Sequence, residues 1–128
     1  MMKIAVAADA AGMTGMISSR LSEAKALLII GMDDNPESAE IIKSMSNSSV
    51  ASMAEAAVAE NCEAIISGGL EMEAFIILAD AQVTRYNGAG MTVIEGLRKM
   101  QDKSLGCFTR HENEPNDGQH TCGHEDGD

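Results

Sequence analysis

Short apolar runs alternate with helical stripes in the second half of the chain, and this order constrains the fold more than any other feature. An apolar run of about four to eight residues between turn residues predicts a buried strand, whereas apolar residues at helical spacing predict an amphipathic helix. Such runs predict five strands, at residues 3–8, 25–32, 38–44, 63–66 and 82–86. Helical spacing predicts helices at residues 50–58 and 71–80, and a last one of about ten residues marked by Val93, Leu97 and Met100. A short helix at residues 38–44 is the alternative to the third strand.

The same alternation predicts how the strands pair. Strands joined through a helix need a crossover connection, so the first, fourth and fifth strands are expected to lie parallel in a mixed sheet. A turn at residues 33–36 (Asp-Asp-Asn-Pro) joins the second and third strands, which we expect to form a hairpin at one edge. Ser48 or Ser49 can cap the first helix. The sequence therefore predicts an α/β fold: a five-stranded mixed sheet with flanking helices.

Three glycine-rich segments follow the predicted parallel strands, at residues 9–15, 67–69 and 87–90. Because the carboxyl ends of parallel strands meet at one edge of a sheet, where ligands bind in such folds, we expect these segments to converge. Their backbone amides, together with Ser18, Ser19 and Arg20, are suited to cradle an anion or a small phosphorylated ligand. The alternative is that the glycines serve only as turn residues. The segments match neither the P-loop nor the dinucleotide-binding pattern.

Charge and length bound the function. The 128 residues include 20 acidic and nine basic side chains, for a net charge of −11. That charge repels phosphate backbones and anionic lipids, so neither nucleic acid nor a membrane surface is an expected partner. The chain has no apolar run near the about 20 residues of a membrane span, and its apolar start ends at Asp9, too early for a signal peptide. We therefore expect a cytoplasmic protein.

The last 22 residues differ from the rest, which places a boundary near Gly106. Residues 1–106 form the predicted domain, whereas residues 107–128 are polar, aperiodic and acidic and are expected to lack fixed structure without metal. This tail holds all three histidines and two of the three cysteines. Its candidate metal ligands are His111, His120, Cys122 and His124. Thiolate and imidazole suit zinc, copper or iron; the alternative is an acidic tail that contains these residues by composition alone.

Catalysis is not expected. The predicted domain contains no histidine to serve as a general base, and no nucleophile–base set falls within it. Its one cysteine, Cys62, stands next to an apolar strand, where a small buried thiol is the expected state.

Four segments, in order, resemble a known family: residues 2–7 (Met-Lys-Ile-Ala-Val-Ala), 17–24 (Ile-Ser-Ser-Arg-Leu-Ser-Glu-Ala), 65–75 and 86–95. Together they are similar to the dinitrogenase iron–molybdenum cofactor biosynthesis family, the NifX/NafY-like proteins. The resemblance implies a ribonuclease-H-like fold. It also implies binding or carriage of an iron–sulfur or molybdenum-containing cluster, with a cofactor-assembly protein as a partner. Arg20 stands where cluster-binding members often have histidine, and Leu21-Ser22 replaces Phe-Gly.

The candidate cofactor-binding residues follow from the rim and the resemblance together: Ser19, Arg20, Gly68, Gly69, Asn87 and Gly88. Arginine cannot ligate iron as imidazole does, but its planar donors can pair with an anionic cluster or metalloanion. The tail offers metal ligands that the glycine loops lack, so we expect the two parts to cooperate. The leading hypothesis is thus a non-catalytic cluster- or metalloanion-binding protein. The alternative is a regulatory or interaction module that kept the fold and lost the site.

Overall fold

A computed structural model describes residues 2–10, 12–33, 35–46 and 49–102. The strands are β1 (Met2–Ala8), β2 (Ala26–Met32), β3 (Glu40–Ser46), β4 (Ala64–Ser67) and β5 (Thr84–Asn87). The helices are α1 (Val50–Ala59), α2 (Met72–Asp80) and α3 (Val93–Gln101). Two 3-10 turns, Leu21–Glu23 and Pro36–Ser38, lie in the loops before β2 and β3. The predicted boundary at Gly106 and the tail lie outside the described residues and stay predictions.

The sheet has the strand order β3-β2-β1-β4-β5. β1 pairs with β4 and β4 with β5 in parallel, while β2 pairs antiparallel with both β1 and β3. The predicted mixed five-stranded sheet is therefore confirmed, with the hairpin of β2 and β3 at one edge. The ribonuclease-H-like label is not tested by this strand order and stays a prediction from the resemblance.

Helices cover both faces of the sheet. Successive residues of its central strands point to opposite sides, and they are apolar on both. Ala5, Ala7 and Ile65 lie in the core under α1 and α2, whereas Val6 and Ile66 lie in the core under α3. Buried on both faces, β1, β2 and β4 can be almost wholly apolar, which is why their sequences read as continuous apolar runs.

Two strands, β3 and β5, begin two residues later than the sequence prediction, and the other three begin within one residue of it. β3 begins at Glu40 and not at residue 38, because Pro36–Ser38 forms a 3-10 turn that the Asn35 side chain stabilises by accepting the Glu37 amide at 3.0 Å. The strand assignment itself is correct, and the helical alternative is wrong. β5 begins at Thr84 and not at residue 82, because Gln82 has a φ of 63° and belongs to the turn after α2.

The helices begin as their capping chemistry requires. Ser49, one of the two predicted caps, accepts the Ser52 amide at the start of α1. Thr92 and Glu95 form a reciprocal capping box at the start of α3. Within the described ranges, every helix is too short to cross a membrane.

Candidate functional site

The carboxyl ends of β1, β4 and β5, with the loops that follow them, form one edge of the sheet, called the rim here. Residues 17–21, the crossing segment, run over this edge and form two isolated β-bridges, from Ile17 to Ala8 and from Arg20 to Gly69. The Ser18 amide donates to the Ala7 carbonyl at 2.9 Å, and the Gly68 amide donates to the Ser18 carbonyl at 3.0 Å. The Gly69 amide donates to the Ser19 carbonyl at 2.8 Å. The crossing segment therefore ties the end of β1 to the end of β4.

Close backbone approach requires glycine at position 68. A Cβ atom there would collide with the carbonyl group of Ser19 and come within 2.5 Å of the Ser18 carbonyl oxygen. Gly88 is required for a different reason, since a Cβ atom there would lie 2.5 Å from Ile66 Cγ2 and 2.8 Å from Ile17 Cδ1. The glycine-rich loops thus admit the crossing segment and its Ile17 side chain.

The crossing segment brings Arg20 to the first residue before α2. Arg20 donates to Glu71 Oε2 through Nε at 3.2 Å and through Nη2 at 3.1 Å. Ser22 donates to the same oxygen through its hydroxyl group at 2.6 Å. Three donors from the crossing segment and the turn after it therefore converge on one carboxylate oxygen of Glu71.

Two other side-chain oxygen atoms of the segment from Ser67 to Glu71 are buried and have no hydrogen-bond partner among the described residues. They are Glu71 Oε1 and the hydroxyl oxygen of Ser67. Ser67 is fully buried at the end of β4, and alternation places it on the same face as Ile65, which α1 and α2 cover. Glu71 is the N-cap residue of α2, but its side chain makes no capping hydrogen bond. The first N–H groups of α2, which have no partner inside a helix, thus lack that cap.

The structure brings the six predicted cofactor-binding residues to the rim, but it engages several of their donors. The amides of Gly68, Gly69 and Gly88 all donate to backbone carbonyls. Ser19 donates its hydroxyl group to Glu23 at 2.9 Å, and Asn87 Oδ1 accepts the Ala89 amide at 3.2 Å. Among these six residues, the donors that can change partner by rotation are therefore those of side chains. The strongest of them is the guanidinium group of Arg20.

Glu71 and Ser22 are site residues that the sequence analysis did not single out. Glu71 is separated from Arg20 by 51 positions, so no local pattern connects them. The available signal was its place, directly after the glycine-rich loop that follows β4.

The other chemically notable groups lie elsewhere. Burial, with a smaller contribution from nearby Glu60, raises the pKa of the buried Cys62 thiol to about 11, so it is neither a thiolate nucleophile nor a ready metal ligand. Arg85 is half-buried, its guanidinium group 4.7 Å from the ring centre of Phe75, and burial lowers its pKa. Among the described residues, no three His, Cys, Asp or Glu side chains are grouped to hold a metal ion. The predicted ligands His111, His120, Cys122 and His124 lie outside those residues.

The fold and the rim define a class: a small α/β domain with a five-stranded mixed sheet, whose parallel strands end at one rim of glycine-rich loops. The family model described as dinitrogenase iron–molybdenum cofactor matches residues 2–103, so the chain belongs to this family. The resemblance drawn from the four sequence segments is confirmed. No match is found among curated protein sequences.

Solved structures of similar proteins share the fold. The apo form of the orange protein from Desulfovibrio gigas aligns with a TM-score of 0.70 and 20% identity, over 91% of this chain and 97% of that one. A candidate dinitrogenase from Methanocaldococcus jannaschii aligns with a TM-score of 0.69 and 24% identity, over 85% and 96%. A candidate NifB protein from Thermotoga aligns with a TM-score of 0.68 and 23% identity, over 86% and 98%. At these identities the likeness concerns the fold.

Proposed function

We propose that this protein binds or carries a metal cluster of the iron–sulfur or molybdenum type, or the metalloanion from which one is built, as a non-catalytic step of metallocofactor assembly. Family membership supports the cargo class. The observation that carries the proposal in this chain is the convergence of Arg20 and Ser22 donors on one anionic oxygen at the rim. The protein that supplies or receives the cargo is, on this proposal, another assembly protein.

The donor set fits the outer atoms of such a cargo. Guanidinium and hydroxyl groups donate hydrogen bonds to oxo or sulfido atoms, and charge-assisted bonds of this kind are the stronger ones. The described rim has no imidazole or thiolate to coordinate the metal itself, because every histidine lies beyond residue 110. In the proposal, direct ligation comes from His111, His120, Cys122 and His124, and the rim holds the anionic face of the cargo. Because these ligands belong to the same chain as the rim, their effective concentration there would be roughly millimolar if the linking segment spans the distance.

The test is anaerobic reconstitution with iron, sulfide and molybdate, followed by metal analysis and visible absorption. Arg20→Ala should lower metalloanion affinity by roughly ten- to a hundredfold, since hydrogen bonds to charged groups contribute about 1.5–3 kcal/mol. Arg98→Ala is the matched control, because it removes the same charge from an exposed pair with Glu37. Glu37 lies in the turn after β2, at the end of the sheet away from the rim. Equal affinity in the two variants would exclude the rim.

A second comparison addresses the tail. A chain ending at Gly106 should keep the fold, since the last helix, α3, ends at Gln101. It should retain much less metal after desalting than the full chain. The same metal content in the truncated and full-length proteins would remove the tail from the proposal and leave the rim.

A further inference from the structure

The contact between Arg20 and Glu71 has the form of a bound anion supplied by the protein itself. One carboxylate oxygen, Glu71 Oε2, accepts hydrogen bonds from Arg20 Nε and from the Ser22 hydroxyl group and forms an ion-pair contact with Arg20 Nη2. The other carboxylate oxygen is buried without a partner among the described residues. The donors of the rim therefore gather on a single oxygen atom and leave the second oxygen of the same carboxylate without a partner in the part of the chain that the structure describes.

We propose that Glu71 Oε2 occupies the anion subsite of the rim, and that cargo binds by exchange, with an oxo or sulfido atom taking the place of this oxygen. The inference rests on the proposed function and deepens it by naming Glu71 as the residue that determines whether Arg20 is available. Glu71 then acts on specificity, because only an anion that competes with a carboxylate for the same three donors enters the site.

The structure gives the displaced carboxylate a place to go. Glu71 is the N-cap residue of α2, a helix of nine residues whose first N–H groups receive no capping bond from this side chain. These N–H groups and the helix dipole favour a negative charge at that position. The exchange therefore moves Glu71 from one set of donors to another, and neither anion needs to be left in a buried site without donors.

The Arg20–Glu71 ion pair is exposed enough to solvent for an anion to reach it. About a quarter of the Glu71 side chain is exposed, and Arg20 is about one-third exposed, so the pair can open towards solvent. At the end of β4, four residues before Glu71, the Ser67 hydroxyl oxygen is fully buried and has no partner among the described residues. A buried hydroxyl group without a partner can donate to a ligand atom that comes within reach of it. The Glu71 carboxylate, held through Oε2, does not accept this hydrogen bond.

The experiment compares Glu71→Gln with Glu73→Gln. Both substitutions remove one negative charge from the start of α2, but Glu73 is an exposed residue outside the Arg20 contact. Affinity is measured by equilibrium binding of molybdate and of tetrathiomolybdate to the full chain. Glu71→Gln should raise the affinity at least about tenfold over the wild-type protein, whereas Glu73→Gln should change it less than threefold. An equal change in the two variants would overturn the exchange.

A second readout follows the exchange directly and is independent of folding differences between variants. The Arg20 Nε–H resonance of the wild-type protein should shift on titration with molybdate, and the Glu71 side-chain carboxyl carbon should shift with the same midpoint. A shift of Arg20 while Glu71 stays unchanged would show that the anion binds beside the ion pair without displacing it, and the exchange would be wrong.

The outcomes separate this inference from the proposed function. If Arg20→Ala weakens binding but Glu71→Gln behaves as Glu73→Gln does, the exchange fails and the rim remains the binding site. If neither anion binds the wild-type protein or the Glu71→Gln variant, both proposals fail for metalloanions.

Discussion

Replacing Gly68 by alanine tests whether the crossing segment holds the rim together. The new Cβ atom would meet the Ser19 and Ser18 carbonyl groups, which are backbone atoms and cannot turn away as a side-chain end does. The segment must therefore move, and the hydrogen bonds from the amides of Gly68 and Gly69 must stretch or break. Substitution at this position should thus be far more costly than an ordinary glycine-to-alanine change.

The expected magnitude combines two effects. Forcing a methyl group into a filled space costs about 1–3 kcal/mol. Two weakened hydrogen bonds add about 0.5–1.5 kcal/mol each, so the expected loss in free energy of unfolding is about 2–6 kcal/mol. A domain of this size has a total stability of about 5–15 kcal/mol, and each kcal/mol shifts Tm by about 4 °C. Gly68→Ala should therefore lower Tm by about 8–24 °C.

The assay is urea and thermal unfolding followed by circular dichroism, with Gly12→Ala as the matched control. A Cβ atom at Gly12 meets no other atom within 4 Å, so this variant should stay within about 0.5 kcal/mol of the wild-type protein or gain slightly from the stiffer unfolded chain. Equal stability of the two variants would show that the crossing segment yields easily, and the reasoning about the rim would be refuted.

Three further predictions concern capping, pH and thiol reactivity. Thr92→Ala removes the hydroxyl group that accepts the Glu95 amide in the α3 capping box and should cost about 0.5–2 kcal/mol in urea unfolding, against little change for the exposed Thr14→Ala. The Thr92 amide and hydroxyl group lower the pKa of Glu95 below its usual 4.5; its stabilising contribution is therefore present above pH 4.5 and is lost as pH falls through the lowered pKa. As the pH is lowered, the free energy of unfolding should fall less steeply in Glu95→Gln than in the wild-type protein. An unchanged slope would contradict this assignment. In a Cys107→Ser, Cys122→Ser background, burial and a thiol pKa of about 11 should make native Cys62 react with iodoacetamide far more slowly than in urea at neutral pH; equal rates would place Cys62 at the surface.

The fold could be predicted because its central strands are covered on both faces. β1, β2 and β4 appear in the sequence as unbroken apolar runs, and the crossover rule then determines that strands joined through helices lie parallel. The misplaced boundaries are at β3 and β5, both next to turns. There, the chain direction depends on the Asn35 side chain and on the positive φ of Gln82, which hydrophobic patterning does not contain.

The sequence predicts where the site lies but not the contacts within it. Topology brings the glycine-rich loops to one rim, and the resemblance marks Arg20 within it. The partner of Arg20 could not be predicted, because the pairing with Glu71 depends on where the crossing segment lies over β4, which is set by backbone bonds between Ser18, Ser19 and the Gly68 loop. Contacts between residues 51 positions apart follow from the assembled fold and not from spacing in the sequence.

The crossing segment also determines what kind of anion site the rim can be. In a loop that binds phosphate through its backbone, the amide N–H groups point at the ligand and their number is fixed by the loop conformation. Here, the amides of Gly68, Gly69 and Gly88 already donate to carbonyl groups within the protein. These three amides are therefore engaged within the protein, and the strongest side-chain donor at the rim, Arg20, already holds the Glu71 carboxylate. On the proposed exchange, such a site releases its ligand when the Glu71 carboxylate returns, which suits the proposed carriage of cargo better than permanent binding.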